Sequence, residues 1–382
     1  MDKNIIKNKK MNKKIVTSLA TFGFLCFLLV LTSCKNEPEG PNTSATLSTS
    51  KEEVKTVYAS DVIPFFDHWK LILGDGSNVG VATNFENKDF FYTANDGTDE
   101  WVVFKAPNAG STHGTSNNTR TELAQVKKWY PKTANDKLSA TLKVMNVSAT
   151  GDSRVAASYA VVVGQIHSAD KHENEPLKIF YKKFPGHTKG SVFWHYEINT
   201  AGDDNSGRWD FSTAVWGNDF SVVGDSPNTY PEEPKDGIAL SEEFSYEVEV
   251  KDGIMNLTFT SEGHETKTFT KNLIESAYTT KADIPEQTEK LFVPLGQDGV
   301  ERKDAYAGEG CFFKLGAYNQ TNGKSPEINK NWCSGAETHE GDIKKQYADG
   351  NYAEVWFKTG SISVSENAVS NDGYFNKNDK VK

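Results

Sequence analysis

Three short stretches, far apart along the chain, carry side chains whose types and spacing could do chemistry together. The first is Thr119-Arg120-Thr121-Glu122-Leu123. On a strand, Arg120 and Glu122 share one face while Thr121 and Leu123 point the other way. Taken alone, that is also the pattern of a solvated surface ion pair of little energetic value. The second is Ala160-Val161-Val162-Val163-Gly164-Gln165-Ile166-His167. A run this apolar reads as a central strand covered on both faces. Gln165 and His167 stand two apart at its end, so two polar groups that are costly to bury face one place. A structural histidine is the competing reading. The third stretch runs from Cys311 to Gln320. Phe313, Leu315 and Ala317 form an apolar face; Lys314, Tyr318 and Gln320 form the opposite one, with Gly316 expected to leave an open space. This is either an ordinary half-buried strand with a wet face or a groove for an acidic ligand. A guanidinium fork and a side-chain amide would both suit a carboxylate there.

The elements that must position these groups read as strands. Period-two alternation recurs in Leu138–Val147, Phe244–Val250, Ile254–Thr260 and Tyr352–Phe357, and Asp252-Gly253 supplies a tight hairpin turn. Helical periodicity is nearly absent, Leu273–Thr279 being the best short candidate. Many short strands with Gly, Asn and Asp turns and no βαβ rhythm predict an all-β fold, an antiparallel β-sandwich or jelly roll. Long loops are expected from Thr200 to Gly237. Aromatics at 12% (Trp 8, Tyr 14, Phe 22) lean toward strands and sugar-stacking surfaces. A net charge of -10 disfavours nucleic acid as a partner.

The amino end reads as an address. Lys7, Lys9, Lys10, Lys13 and Lys14 precede an apolar stretch from Ile15 to Leu31, the layout of a secretory signal. Leu31-Thr32-Ser33-Cys34 resembles the bacterial lipobox, which implies a signal peptide over 1–33 and lipidation at Cys34. Residues 34–55 read as a flexible tether, 56–365 as the folded domain and 366–382 as a polar tail. The signal carries six Lys and one Asp, so its removal takes the net charge from -10 to -15. The expected location is that of an exported bacterial lipoprotein, at the outer membrane or cell surface. Cys311 and Cys333 then remain, as one disulfide or as two buried free thiols.

The three stretches, in this order, resemble the signature of polysaccharide lyase family 7, the alginate lyases. That signature comprises an R-x-E-L strand, a Q-[IV]-H strand end and a Y-F-K-A-G-x-Y-x-Q strand. Here they stand as Arg120-Thr-Glu-Leu123, Gln165-Ile-His167 and Phe312-Phe-Lys-Leu-Gly-Ala-Tyr-Asn-Gln320, and Trp69-Lys70-Leu71-Ile72-Leu73 looks like the family's opening strand. Ala124 and Gln125 replace the second Arg that usually follows the first motif; Phe312 replaces a Tyr and Leu315 an Ala. The resemblance implies a jelly roll with a substrate groove on its concave sheet, alginate as ligand, no metal or organic cofactor, and a monomer. It implies Arg120, Gln165, His167 and Tyr318 as catalytic residues, with Glu122, Lys314 and Gln320 binding substrate. Ile166 resembles members that accept guluronate. Extra length near 200–237 and 284–309 suggests loops that close one end of the groove and favour exolytic release.

Rival readings fit less well. A jelly-roll glucanase would need paired Glu in an E-x-D-x-E strand, and none is present. His172-Glu-Asn-Glu-Pro176 is not the H-E-x-x-H of a zinc hydrolase. A lectin-like alginate-binding module would not need His167 and Tyr318, and a lyase for another polyuronate such as glucuronan is the alternative at the level of substrate.

Overall fold

The β-hairpin from Glu243 to Thr260 shows how the sequence writes the fold. Asp252 and Gly253 both take positive φ, 49° and 85°, the two-residue turn that matches strand twist. It sets Tyr246 opposite Phe259, Val248 opposite Leu257 and Val250 opposite Met255, all buried on one face. Glu247 and Glu249 face out opposite Thr258 and Asn256.

The computed structural model describes residues 56–112, 116–168, 175–198, 209–274, 306 and 310–365. In chain order the strands are β1 (Trp69–Ile72), β2 (Asn78–Gly80), β3 (Phe91–Asn95), β4 (Glu100–Pro107), β5 (Arg120–Gln125), β6 (Asn135–Asn146), β7 (Ala160–Ser168), β8 (Leu177–Lys182) and β9 (Lys189–Ile198). They continue as β10 (Trp209–Trp216), β11 (Ile238–Ala239), β12 (Glu243–Lys251), β13 (Ile254–Thr260), β14 (Lys267–Asn272), β15 (Cys311–Asn319), β16 (Tyr352–Lys358) and β17 (Ser363–Val364). Two short helices, α1 (Ala59–Val62) and α2 (Ile343–Ala348), stand outside the sheets. One sheet runs β10-β9-β8-β7-β15-β5-β1-β2, with β11 on β9; the other runs β14-β13-β12-β6-β16-β4-β3, with β17 on β6. Every described pairing is antiparallel. The inner faces enclose one apolar core, so the all-β jelly-roll sandwich is the architecture found.

Two local features aim the outer face of the first sheet. The first is a bulge in β7, where Val162 and Gly164 face consecutive β8 residues, Phe180 and Ile179. Before it, Ala160 and Val162 point outward into a small aromatic cluster, whereas Val161 and Val163 join the inter-sheet core. After it the parity is reversed: Ile166 lies in the core, and Gln165 and His167 point outward. The extra residue is what turns these two side chains out of the sandwich. The second is Gly316 in β15, at φ +148°. A Cβ there would lie against the Thr121 carbonyl and 2.8 Å from the Glu122 Cα. Gly316 therefore lets β15 approach β5 closely; it does not open a gap in the groove, as its place in the sequence suggested.

Other expectations need adjustment. Of the helix expected over Leu273–Thr279 only the first two residues are described, and Leu273 instead donates to the Gly253 carbonyl at 2.8 Å. The signal peptide, Cys34, the tether, the polar tail and the 284–305 segment lie outside the described residues. Cys311 and Cys333 are buried and unbridged, so the disulfide gives way to free thiols. Cys311 faces the core opposite Ser168, at the end of β7. Asn331 and Ser334, flanking Cys333, accept from Ala157 and Asp152, just ahead of the start of β7. A nine-residue strand spans on the order of 25 Å, far beyond disulfide reach.

Gly316→Ala should destabilise the domain by roughly 2–4 kcal/mol, because both atoms it strikes are β5 backbone and cannot yield without breaking the ladder. Calorimetry should show Tm falling by about 5 °C or more; a near-normal Tm would mean that the β5–β15 spacing can adjust.

Candidate active site

Strand order brings the three chemical stretches side by side, since β15 lies between β7 and β5. In register, Tyr318 faces Arg120 across the β15–β5 ladder. Lys314 faces Gln165, and Phe312 faces His167, across the β15–β7 ladder. All six side chains stand on the outer face of the sheet, as does Glu122, because their neighbours Leu123, Ile166, Phe313, Leu315 and Ala317 belong to the core.

Glu122 is the hub. It is 2% exposed, yet takes a hydrogen bond from Gln165 Nε2, an ion pair from Lys314 Nζ at 2.5 Å and a longer one from Arg120 at 3.7 Å. Two cations thus share one carboxylate, and burial makes the excess positive charge count for more than it would in water. Burial pushes the Lys314 pKa down, with Glu122 opposing it. Among the described residues the buried Arg120 Nε and Gln165 Oε1 have no hydrogen-bond partner, which leaves one donor and one acceptor for a ligand. The Arg120 guanidinium lies 3.8 Å from the centre of the Tyr318 ring. The Tyr318 hydroxyl is 3.3 Å from Ser116 Oγ.

His167 is set up as a neutral base. Its Nδ1 lies 2.6 Å from the Ser168 carbonyl oxygen; a carbonyl only accepts, so Nδ1 carries the proton and Nε2 keeps a lone pair. Phe312 stacks on the ring at 5.2 Å. Burial lowers its pKa to about 4; Lys314 and Arg120 act in the same direction, and Glu175 acts against them. Beyond His167 a second charge chain continues: Glu175 lies 3.6 Å from His167 Nε2 and 3.1 Å from Lys178, which lies 2.8 Å from Glu197.

Arg120, Gln165, His167 and Tyr318 are therefore brought to one face. The groups expected to hold neighbouring sugars are placed differently. Glu122 and Lys314 are buried and paired with one another, forming the floor. Gln320 lies past the end of β15, is 2% exposed and donates to the Tyr318 carbonyl at 3.3 Å. The sequence reading passed over Glu175, Lys178 and Glu197. Their signal was Lys178 between Leu177 and Ile179 in β8, a charge that must be paired to sit there. Among the described residues no group of His, Cys, Asp and Glu side chains gathers as a metal site. One end of this face is roofed: Val155, Ala156, Ala157 and Phe220 pack over Ala160, Val162, Phe180 and Phe193. Trp332 lies against Phe220 at 4.9 Å.

Comparison with known proteins agrees with this geometry. The family model described as alginate lyase matches residues 63–364. A crystal structure of an exolytic alginate lyase of polysaccharide lyase family 7 from Zobellia galactanivorans is 62% identical, with a TM-score of 0.76 over 81% of this chain and 97% of that one. An alginate lyase of Klebsiella pneumoniae is 26% identical over 280 residues, 65% of this chain and 76% of its own. A crystal structure of an alginate lyase from that organism, 21% identical, superposes with a TM-score of 0.56 over 81% of this chain and 98% of that one. The chain belongs to the alginate lyases of polysaccharide lyase family 7 and is a polysaccharide lyase acting on alginate.

Proposed function

We propose that the protein cleaves 4-linked uronate chains by β-elimination, with Arg120, Gln165, His167 and Tyr318 as its catalytic residues. The observation that carries this is that a guanidinium, an amide, an imidazole and a phenol share one outer face above a buried network of paired charges. A proton at C5 of a uronate is weakly acidic because its removal adds charge beside an ionised carboxylate. Arg120 neutralises that carboxylate and Gln165 donates the amide N–H not held by Glu122, so the developing charge meets dipoles already in place. A base takes the C5 proton, the electron pair forms the C4–C5 double bond, the C4–O bond breaks, and the leaving oxygen receives a proton. Tyr318 supplies that proton and also serves as base where both groups lie on one side of the ring (mannuronate). His167 Nε2 serves as base for the opposite-side geometry (guluronate).

Two refinements belong to the same reading. The roof of Phe220, Trp332 and residues 155–157 supports a groove closed at one end and exolytic release, the mode named for the Zobellia relative. Ile166 supports a lean toward guluronate, acting through core packing beneath His167, since its side chain does not reach the groove. The amino end supports an exported lipoprotein anchored through Cys34.

Mixing the protein with alginate should raise ultraviolet absorbance as unsaturated ends form. Tyr318→Phe should lower kcat by about 10²-fold or more with binding largely kept; a near-normal rate would refute the role of Tyr318. A time course of product sizes should show one small product from the start, released faster from polyguluronate than from polymannuronate; early mixed oligomers would refute closure. In a lipoprotein-processing bacterial host, the mature amino-terminal peptide should begin at an acylated Cys34 by mass spectrometry; an unmodified Cys34 would end the anchor proposal.

A further inference from the structure

The charge chain beyond His167 has no part in that scheme, yet it meets the base at the atom that would receive a proton. Glu175 Oε1 lies 3.6 Å from His167 Nε2, while its other oxygen lies 3.1 Å from Lys178 Nζ. Lys178 is in turn 2.8 Å from Glu197. Glu175 is itself largely buried, its side chain 13% exposed, so it interacts across a medium of low dielectric.

We propose that Glu175 is a positioning residue for opposite-side elimination, holding His167 and stabilising the imidazolium formed when Nε2 takes the C5 proton. This rests on the assignment of His167 as base. The ring is fixed on three sides: by the Ser168 carbonyl at Nδ1, by Phe312 against its face and by Glu175 near Nε2. The charged groups bearing on it from other strands are Lys314 of β15 and Arg120 of β5, both cationic and both disfavouring imidazolium. Glu175 is the anion that opposes them. Lys178 of β8, anchored by Glu197 of β9, holds Glu175 turned toward the ring. The 3.6 Å separation leaves the Nε2 lone pair open to a substrate proton; once protonated, the ring gains a charge-assisted partner. Same-side elimination with Tyr318 as base makes no imidazolium and draws nothing from this arrangement.

The test compares Glu175→Gln with the unaltered protein by two readouts. The first is NMR titration of the His167 ring, assigned by its loss in His167→Asn. Removing the carboxylate should lower the imidazole pKa further, and an unchanged titration would overturn the proposal. The second is the ratio of kcat on polyguluronate to kcat on polymannuronate. It should fall about tenfold or more, a share of what a general base contributes, with the acidic limb of the polyguluronate profile moving to lower pH. Glu175→Asp should restore part of the ratio. An equal loss on both substrates with an unmoved pH limb would mean a merely structural role and overturn the proposal. Failure of the underlying reading looks different: there, His167→Asn would itself leave the polyguluronate rate intact.

Discussion

The site depends on one buried carboxylate. Glu122 receives Gln165, Lys314 and Arg120 in a place water barely reaches. Removing one partner from such a cluster typically costs about 3–5 kcal/mol, because the remaining charges are stranded. An apolar replacement of the whole set would be easier to fold, so stability alone does not explain its presence. What the cluster supplies is fixed donors, with the guanidinium, the amide and the ammonium held before any ligand arrives. Such preorganisation is the part of electrostatic catalysis that a mobile surface cation does not provide. It also separates this Arg–Glu pair from a solvated surface pair, which the tetrapeptide alone resembles.

That cluster reconciles an acidic chain with an acidic polymer. The net charge is -10, which at long range repels a polyuronate. Screening confines that repulsion to about 8 Å at physiological ionic strength. Within the site, Arg120 and Lys314 stand at fixed positions beside Glu122, and low dielectric strengthens their field at close range. Recognition therefore acts at close range. Phe220 and Trp332 lie beside the site, and the Tyr318 ring packs against the same cluster.

Much of the architecture was legible because alternation encodes it directly. The hairpin from Glu243 to Thr260 has its turn, register and buried face written in its residue types. The outward pairing of Gln165 with His167 was also legible, as a spacing of two after an apolar run. What made that spacing point outward was not: the bulge in β7 arises from pairing with β8, a partner nine residues or more along the chain. Gly316 shows the same limit. A glycine signals missing bulk, but only the neighbour decides whether the space is left to ligand or taken by backbone, and here the β5 backbone takes it. Cys311 and Cys333 are close in sequence yet belong to opposite ends of a long strand. Glu175 went unread because a carboxylate ahead of a strand carries no local pattern; its meaning comes from His167 and Lys178, supplied by folding.

The low pKa of His167 raises a question of strength. An imidazole at about 4 is neutral at any ordinary pH, so it is always ready as a base, but each unit of lowered pKa also weakens its pull on the C5 proton. The causes of the shift resolve this. Burial contributes first, and Lys314 and Arg120 add to it; in the proposed scheme a uronate carboxylate pairs with Arg120. A bound substrate thus cancels part of the field that weakens the base, while Glu175 continues to favour the protonated ring. Arg120, which in the proposed scheme meets the uronate carboxylate, is in the free protein one of the cations that add to burial in disfavouring a protonated imidazole.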